Sequence, residues 1–589
     1  MVKTIRKKPV DQKLAAPRDP WRWLAPLLIA AAVWIVYANS LKGVFLLDDH
    51  RTIVKNENIR TLWPPWDILS TRRPITELTL AINYALNDTN ERGYHLFNIT
   101  VHMLAALTLY GLVRRTLLTD RLREGFAASA TPLALAGALI WAVHPLNTQA
   151  VTYIIQRAES LASLFYLLTL YALVRMAGSS KPLWPAMIAV ASCFLGIGSK
   201  PIAVTAPVAA LLYDRIFLAD SWRHLLQRRG LVHLGLFASW TVLLLTGEAR
   251  NVLFPTPGVR GHVGFALHDI SATQYAVTQV GVIAHYLKLS VWPITLCFDY
   301  AWPTADSLFA DWPSLLIVVG ALILSLILLA FRPALGFLGL AFFVVLSPTS
   351  SFIPIKDVVF EHRMYLPLAA LITLLVLGAF ALFRTLSHRN VSSHTRRRTA
   401  AAGLTALAVL LLGVRTIDRN RDYHSQIVMF SDVIRQQPQN ARAWNRLGAA
   451  YADIGKMDEA VHAASESVKH NPEEPRSHSN LCAWLYQLQR DTQALPHCRK
   501  AVELDPEFWQ AHFNLGLALF RSGALAEGVA TFRESARLKP DNLQVQLTLG
   551  QALERAGRMN EARSAYEVAL KLDPKNQQAR QALSNLKGN

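Results

Sequence analysis

Two patterns of apolar and polar residues divide the chain near residue 420. Before that point, apolar segments alternate with shorter polar loops; after it, a 34-residue pattern repeats. Because about 20 apolar residues span a bilayer as a helix, the first part is predicted to be a polytopic helical membrane domain. The candidate segments are 24–40, 94–113, 132–146, 158–176, 183–198, 202–218, 231–246, 274–291, 313–330, 334–350, 363–384 and 401–416.

Basic residues beside these segments predict their orientation, since lysine and arginine concentrate in cytoplasmic loops. A basic leader at 1–23 places the amino terminus inside, which makes 41–93 the first external loop, and Arg396–Arg398 mark a later inside loop. Membrane crossings counted forward from the amino terminus and backward from Arg396–Arg398 differ by one. The most polar segment, 274–291, is therefore interpreted as a re-entrant or interfacial helix. About eleven spans with external repeats are predicted, and twelve spans with cytoplasmic repeats are the alternative.

The carboxy-terminal part, 424–589, has the period of the tetratricopeptide helix-turn-helix repeat. Its prolines recur every 34 residues, at Pro438, Pro472, Pro506, Pro540 and Pro574. The predicted units are 441–474, 475–508, 509–542 and 543–576. The predicted fold class is thus all-α, a polytopic membrane domain followed by an α-solenoid.

Two features of the repeats bear on ligands and on the compartment. Inner-groove positions are predicted to bind an extended acceptor peptide, although a solvated face used only for assembly is the alternative. Cys482 and Cys498 lie on the paired helices of one unit. They either form a disulfide in an oxidising compartment or serve as small packing residues. The predicted groove residues are Arg442, Asn445, Arg476, Gln510, Phe513, Phe520 and Arg521.

Composition supports a membrane protein and excludes several other classes. Hydrophobic residues make up 52% of the chain and mean hydropathy is +0.23, more than a soluble protein needs. The net charge of +19 comes largely from clusters beside apolar segments, so a nucleic-acid-binding protein is not predicted. Four cysteines without a CxxC motif argue against a zinc site, and no cleavage pattern follows the first apolar segment.

An acidic pair, Asp48-Asp49, lies where the first apolar segment enters the external loop. Ionisable groups beside hydrocarbon are costly to hold, so they are functional candidates. One carboxylate can deprotonate an acceptor hydroxyl while the other orients it; a simple solvated turn is the alternative. His50, Arg72 and Arg73 in the same loop are possible site-lining residues, since arginine suits a phosphate.

Further polar residues recur at the outward ends of later apolar segments. Singly, each can be an interface anchor; together they predict an outward cavity that combines carboxylates with cations, as a lipid phosphate beside a general base requires. These residues are His95, His144, Arg157, Glu159, Lys200, Glu361, His362 and Arg363.

These motifs, in this order, resemble those of a known family. The carrying motifs are Leu47-Asp48-Asp49, Gly93-Tyr94-His95-Leu96-Phe97-Asn98, His144-Pro145-Leu146, Arg157-Ala158-Glu159, Ser199-Lys200 and Arg363-Met364-Tyr365-Leu366-Pro367. Together with the repeats, they resemble the bacterial relatives of the transmembrane and tetratricopeptide-repeat O-mannosyltransferases.

The resemblance implies a GT-C fold and a polyprenyl-phosphate sugar donor. By this resemblance, Asp48 or Asp49 is the base of an inverting transfer, and Arg157, Lys200 and Arg363 hold the donor phosphate. The cofactor stays unknown: a divalent metal is possible but the resemblance does not require one, and no residue is assigned as a metal ligand.

The first functional prediction is a glycosyltransferase in the bacterial inner membrane that moves a sugar to a hydroxyl of protein serine or threonine. Its partners are the lipid donor, an acceptor protein recruited by periplasmic repeats, and the membrane. The alternatives are a non-catalytic scaffold whose repeats assemble an envelope or pilus complex, and, less favoured, a transporter. The sequence determines neither the sugar nor the acceptor.

Overall fold

The structure, a computed structural model, describes residues 21–253, 263–264, 270–386 and 394–588. The leader predicted at 1–23 lies almost entirely outside these residues. Contacts divide the chain into two units, Met1–Pro293 with Thr304–Asn420, and Ile294–Pro303 with Arg421–Asn589. Within the described residues, regular structure is helical apart from one isolated bridge between Val263 and Ile355, which confirms the all-α class.

The helices of the first unit account for every predicted apolar segment. They are α1 (Trp21–Tyr37), α2 (Trp66–Leu69), α3 (Pro74–Asn87), α4 (Glu91–Leu117), α5 (Arg123–Phe126), α6 (Ala130–Ala142), α7 (Thr148–Thr152), α8 (Arg157–Ala177), α9 (Leu183–Ser199), α10 (Ala206–Phe217), α11 (Trp222–Ala238), α12 (Thr241–Leu245), α13 (Glu248–Leu253), α14 (Ala272–Val291), α15 (Trp312–Phe331), α16 (Pro333–Leu346), α17 (Tyr365–Leu386) and α18 (His394–Asn420).

Seven helical stretches of the described chain are long and apolar enough to cross a membrane. They are Trp23–Lys42, Glu91–Leu117, Arg123–Ala142, Ile154–Ala177, Trp312–Phe331, Glu361–Arg384 and Thr399–His424. Helices α9 and α16 are apolar but shorter. The predicted count of eleven spans is therefore approximate. Helix α14, interpreted from the sequence as a non-spanning segment, is not among the seven.

One end of this unit gathers the loops that were predicted to share a side. The N–H of Ile155 donates to Asp49 Oδ1 at 2.8 Å, and Thr76 Oγ1 donates to the Ser199 carbonyl at 2.9 Å. Thr152 Oγ1 donates to Asn420 Oδ1 at 2.8 Å, which places the last residue of α18 at this same end. We call it the acidic end.

The opposite end is rich in arginine, and we call it the basic end. Arg384 donates to the carbonyl of Gly125 at 3.0 Å, and Arg121 donates to the carbonyl of Ala219 at 2.6 Å. These arginines satisfy carbonyls at helix ends, where the backbone has no partner within its own helix.

The second unit consists of helix pairs joined by short turns. Its helices are α19 (Gln426–Gln436), α20 (Ala441–Asp453), α21 (Met457–His470), α22 (Pro475–Gln487), α23 (Asp491–Leu504), α24 (Trp509–Arg521), α25 (Leu525–Leu538), α26 (Leu543–Arg555), α27 (Met559–Leu572) and α28 (Gln577–Gly588). The pairs α20–α21, α22–α23, α24–α25 and α26–α27 fall within the four predicted units.

The recurring prolines terminate these pairs, and each of their carbonyls is capped in the same way. A side-chain N–H six residues further along donates to the proline carbonyl in every unit. The donors are Trp444 to Pro438 at 2.8 Å, His478 to Pro472 at 3.0 Å, His512 to Pro506 at 2.9 Å, Gln546 to Pro540 at 3.1 Å, and Arg580 to Pro574. The cap position therefore requires a hydrogen-bond donor but not one particular residue.

Small residues recur where the two helices of a unit approach closely. A Cβ added at Gly550 would lie 2.6 Å from Tyr566 Cε1, and one at Gly516 would lie 2.8 Å from Phe532. In the second pair, Cys482 and Cys498 form a disulfide with their Cα atoms 5.2 Å apart. Of the two interpretations of these cysteines, the structure has the disulfide.

One segment from the first two thirds of the chain belongs to the second unit. This strap, Ile294–Pro303, lies against the start of the repeats: Gln436 donates to the Leu296 carbonyl at 2.8 Å and Arg442 forks the Asp299 carboxylate at 2.6 and 2.7 Å. The sequence placed these residues in the membrane domain, 24–420. The difference arises because this largely apolar and aromatic loop is buried against side chains of the second unit, such as Phe298 against Tyr423 and Phe430, and its local pattern does not reveal these contacts.

Candidate active site at the acidic end

The two members of the acidic pair have opposite environments. Asp49 is fully buried and accepts hydrogen bonds from the backbone N–H groups of Leu46 at 2.9 Å and Ile155 at 2.8 Å. Asp48 is exposed, and its own N–H donates to the Tyr153 hydroxyl at 3.1 Å. Leu47 before it has φ of 40°, a region that costs a non-glycine residue roughly 1–3 kcal/mol. The turn therefore presents Asp48 to solvent and uses Asp49 as its internal anchor.

Burial has a large effect on the Asp49 carboxyl. It raises the pKa of Asp49 to about 8, although the two N–H donors and the charge of Arg157 act in the opposite direction. Desolvation dominates because it penalises only the ionised form. Asp49 is thus a poor candidate for direct contact with a substrate, and the exposed Asp48 is the better one.

A third carboxylate at this end, Glu159, is paired with a lysine. Lys200 Nζ lies 2.6 Å from Glu159 Oε2; the glutamate is fully buried, and the lysine side chain is 12% exposed. The pKa of Lys200 is lowered, chiefly by burial, against the attraction of Glu159; the charges of Arg73 and Arg363 also lower it. Lys200 directly follows α9, and its side chain keeps a small accessible surface while its ammonium group pairs with Glu159.

Two arginines predicted to bind phosphate are committed to internal acceptors. Arg157 is buried and donates to Asn83 Oδ1 at 2.5 Å and to the Tyr94 carbonyl at 3.2 Å. Arg363 donates to the carbonyls of Asp357 at 2.6 Å and Val358 at 2.9 Å, among others. Both guanidinium groups therefore brace the walls of the acidic end, which weighs against direct phosphate contact by either one.

Two other arginines are available at the surface of the first loop. Arg72 and Arg73 are exposed, and neither guanidinium makes a hydrogen bond or ion pair with another described residue. Helix α3 begins directly after Arg73, and Thr76 in its first turn holds it against Ser199 at 2.9 Å. This contact brings Arg73 toward Lys200, as the electrostatic interaction of the two groups also indicates.

The histidines at this end differ in their burial and in their hydrogen bonds. His95 is buried beside Gly43, where an added Cβ would lie 2.7 Å from its Nε2. His144 accepts from the Leu146 N–H at 3.2 Å through Nδ1, so Nε2 donates to the Ser290 carbonyl at 3.2 Å. His50 is exposed next to Asp49. His95 and His144 thus have packing roles in this structure.

The Glu361-His362 pair connects three helices at the acidic end. Glu361 is buried and lies 3.7 Å from Arg419 of α18. His362 is 5% exposed, and both its backbone N–H and its Nδ1 lie within hydrogen-bond distance of Gln149 Oε1, at 2.9 and 3.0 Å. Sequence reasoning did not select Gln149, Tyr153 or Arg419. A possible signal was their polarity within otherwise apolar stretches.

The predicted groove residues of the repeats fall into three groups. Arg442 is held by Asp299 of the strap, and Arg521 is held by Asp491, 2.8 Å from Nε to Oδ2, and lies over the Tyr486 ring. Asn445 accepts from Asn480 at 2.8 Å. Phe513 and Phe520 pack against the buried core of the later units, Gln510 is half-buried, and Arg476 is exposed.

Among the described residues, no cluster of three or more His, Cys, Asp or Glu side chains is arranged to hold a metal ion. Lys200 and several arginines carry positive charge at the acidic end.

Comparison with known proteins shows what the chain is similar to. Residues 71–246 match the family described as dolichyl-phosphate-mannose-protein mannosyltransferase, and 427–481, 485–542 and 519–586 match tetratricopeptide repeats. The protein O-mannosyl-transferase TMTC4 of Mus musculus is 26% identical over 503 residues, covering 74% of this chain and 65% of that protein. Protein O-mannosyl-transferase Tmtc3 of Drosophila melanogaster is 25% identical over 524 residues, covering 76% and 55%.

The chain therefore spans between about half and two thirds of the length of these relatives. Among solved structures, the crystal structure of MamA protein is 21% identical and covers 25% of this chain and 81% of that chain, with a TM-score of 0.23. The matches to a mannosyltransferase family and to the repeats confirm the resemblance predicted from the motifs.

Proposed function

Because this chain is a relative of the tetratricopeptide-repeat protein O-mannosyl-transferases, we propose that it transfers mannose from a polyprenyl-phosphate donor to a serine or threonine hydroxyl of an acceptor protein. One observation carries the proposal. An exposed carboxylate, Asp48, is fixed at the same end of the helical unit as the cations Lys200 and Arg73.

In the proposed reaction, the Asp48 carboxylate takes the proton of the acceptor hydroxyl. The resulting oxygen nucleophile attacks the anomeric carbon from the face opposite the phosphate, and the bond from that carbon to the phosphate oxygen breaks. Polyprenyl phosphate leaves with the bonding electrons, and the configuration at the anomeric carbon inverts. General-base assistance of this kind typically contributes about 10²–10⁴-fold.

The positive groups stabilise the leaving phosphate as its negative charge grows. Lys200 and Arg73 are the proposed contacts, because Arg73 is exposed and the Lys200 side chain keeps part of its surface accessible. Preorganised cations at a site of developing charge lower the activation barrier without reorganising during the reaction. Arg157 and Arg363 act indirectly, since their guanidinium groups hold α3, α8 and the segment before α17 in place.

Asp49 is proposed as a positioning residue. Its carboxyl group accepts hydrogen bonds from two backbone N–H groups and so joins the first loop to the segment before α8. The left-handed conformation of Leu47 persists only if the surrounding structure imposes it. The bridge formed by Asp49 supplies that constraint and thereby orients Asp48.

The acidic end and the repeats are proposed to lie on the outer side of a bacterial inner membrane. Arginines concentrate at the basic end, which the positive-inside rule assigns to the cytoplasm. The chain leaves the first unit at Asn420, at the acidic end. The disulfide between Cys482 and Cys498 supports an oxidising compartment for the repeats.

The repeats are proposed to recruit the acceptor protein. Arg442 is occupied by the strap, so an acceptor segment is expected to use later positions such as Arg476 and Gln510. Repeat arrays of this kind present an extended concave surface that suits an extended peptide.

A transfer assay tests the proposal. Full-length protein in membranes is supplied with polyprenyl-phosphate mannose and envelope proteins from a strain that lacks this gene, and glycosylation is followed by intact mass. Wild-type protein should transfer mannose and Asp48→Asn should not. If the wild type shows no transfer while its loss disrupts an envelope or pilus complex, the scaffold alternative replaces the enzyme.

A further inference from the structure

The side-chain amide of Gln149 determines which ring nitrogen of His362 carries the hydrogen. Gln149 Oε1 lies 2.9 Å from the backbone nitrogen of His362 and 3.0 Å from its Nδ1. A backbone N–H can only donate, so the Gln149 atom facing it must be the carbonyl oxygen. An oxygen acceptor then requires a hydrogen on Nδ1. In the neutral ring, Nε2 therefore carries the lone pair.

The ring is fixed in position but its Nε2 is unused. His362 is 5% exposed and stacks on Phe360 with ring centroids 4.9 Å apart and an interplanar angle of 26°. Nothing in the described part of the chain hydrogen-bonds to Nε2, and this atom is not among those sealed from solvent. The ring itself is buried, but this acceptor nitrogen keeps enough surface to receive a hydrogen bond from solvent or from a ligand.

The surroundings of this nitrogen are those of the proposed phosphate site. Lys200, Arg73 and Arg363 all interact electrostatically with His362. Glu159, the partner of Lys200, has a buried Oε1 with no hydrogen bond to another described residue. The acidic end thus combines cations that suit a phosphate with two acceptor atoms that lack a donor.

We propose that His362 Nε2 accepts a hydrogen bond from a hydroxyl of the donor sugar and so helps to select that sugar. The inference rests on the proposed function. A lone pair rejects an anion, so the phosphate belongs on Lys200 and Arg73. Neighbouring cations disfavour a metal ion on Nε2. The sugar is bonded directly to the phosphate, so its hydroxyl groups are the nearest donors to a nitrogen beside those cations.

The expected effect of replacing His362 follows from how a binding site distinguishes a sugar from its deoxy analogue. A site that hydrogen-bonds a substrate hydroxyl rejects the analogue that lacks it, because its own buried acceptor is then left without a partner. One hydrogen bond of about 1–1.5 kcal/mol corresponds to roughly a tenfold change in affinity. His362→Phe keeps the ring and its stacking on Phe360 while removing the acceptor, so it should weaken donor binding about tenfold.

The test compares polyprenyl-phosphate mannose with its monodeoxy analogues on the full-length protein in proteoliposomes. Donor binding without acceptor is measured beside KM and kcat. In the wild type, one analogue should bind about tenfold more weakly than the full donor, and His362→Phe should lose that discrimination. His362→Gln, whose amide oxygen can accept the same hydroxyl, should recover part of it. His512→Gln is the matched control, since Gln546 already fills the equivalent cap position in the next unit.

The results of this test distinguish the inference about His362 from the proposed function. Full discrimination among the analogues in both His362→Phe and His362→Gln would overturn the inference. A fall in kcat with a changed pH profile and an unchanged donor KM would also overturn it, since His362 would then act on the acceptor. If His362→Phe does not fold, the wild type decides: equal binding of the full donor and of every monodeoxy analogue would overturn the inference. A wild type that neither binds nor uses the donor contradicts the proposed function instead.

Discussion

Replacing each aspartate of the acidic pair by asparagine should separate chemistry from structure. Asp48→Asn keeps the size of an exposed side chain and removes its ability to take a proton. Asp49→Asn alters a buried group that accepts two N–H donors, from Leu46 at 2.9 Å and from Ile155 at 2.8 Å. The first variant is expected to lose activity with normal stability, and the second to lose stability.

The expected losses of activity and stability follow from the environments of the two aspartates. Without a general base, transfer by Asp48→Asn should fall about 100-fold or more, roughly 2.7 kcal/mol in the activation barrier. Asparagine at position 49 offers one oxygen and one NH₂ group to two N–H donors. One donor must then face another donor, and leaving a buried N–H unsatisfied costs about 1–3 kcal/mol.

The assays are mannose transfer from polyprenyl-phosphate mannose and thermal unfolding of the purified full-length protein. Initial rates are normalised to the folded fraction, so that a stability defect is not counted as a catalytic one. The matched control is Asp67→Asn, another exposed aspartate of the same loop. Wild-type activity in Asp48→Asn, or a lost activity with unchanged unfolding in Asp49→Asn, would refute the division of roles.

Three further predictions concern charge, pH and redox state. Arg73→Ala and Lys200→Ala should each raise the donor KM. Arg73→Lys should raise it less, because lysine keeps the charge although it loses the bidentate geometry of the guanidinium group. Equal KM values in the wild type and both alanine variants would exclude these cations from the donor site. Burial raises the pKa of Asp49 to about 8, so its protonated form contributes stability that is full below the unfolded pKa near 4 and is lost as pH rises through 8. The unfolding temperature of the wild type, measured against pH beside that of Asp49→Asn, should show this loss. Parallel pH profiles of the two proteins would contradict it. Reduction of the bond between Cys482 and Cys498, 16 residues apart, should destabilise the repeats by about 3 kcal/mol, and thiol alkylation before any reductant would disprove the bond.

Much of the architecture was predictable because its signals are local. An apolar segment long enough to span a bilayer is helical whatever lies beside it, since the backbone must satisfy its own hydrogen bonds in lipid. The 34-residue period likewise determines helix pairs and their proline boundaries, because every unit packs mainly on its neighbours. The acidic pair and its neighbouring cations were also identifiable, as polar groups at the ends of apolar segments.

The roles within the site were decided by tertiary contacts. Asp48 and Asp49 are adjacent and chemically identical, and only the N–H of Ile155, 106 residues away from Asp49, distinguishes the buried anchor from the exposed carboxylate. Arg442 has a groove position in its repeat, yet Asp299, 143 residues away, occupies it. Burial and partner choice depend on residues distant in sequence, so a pattern of local spacing does not contain them.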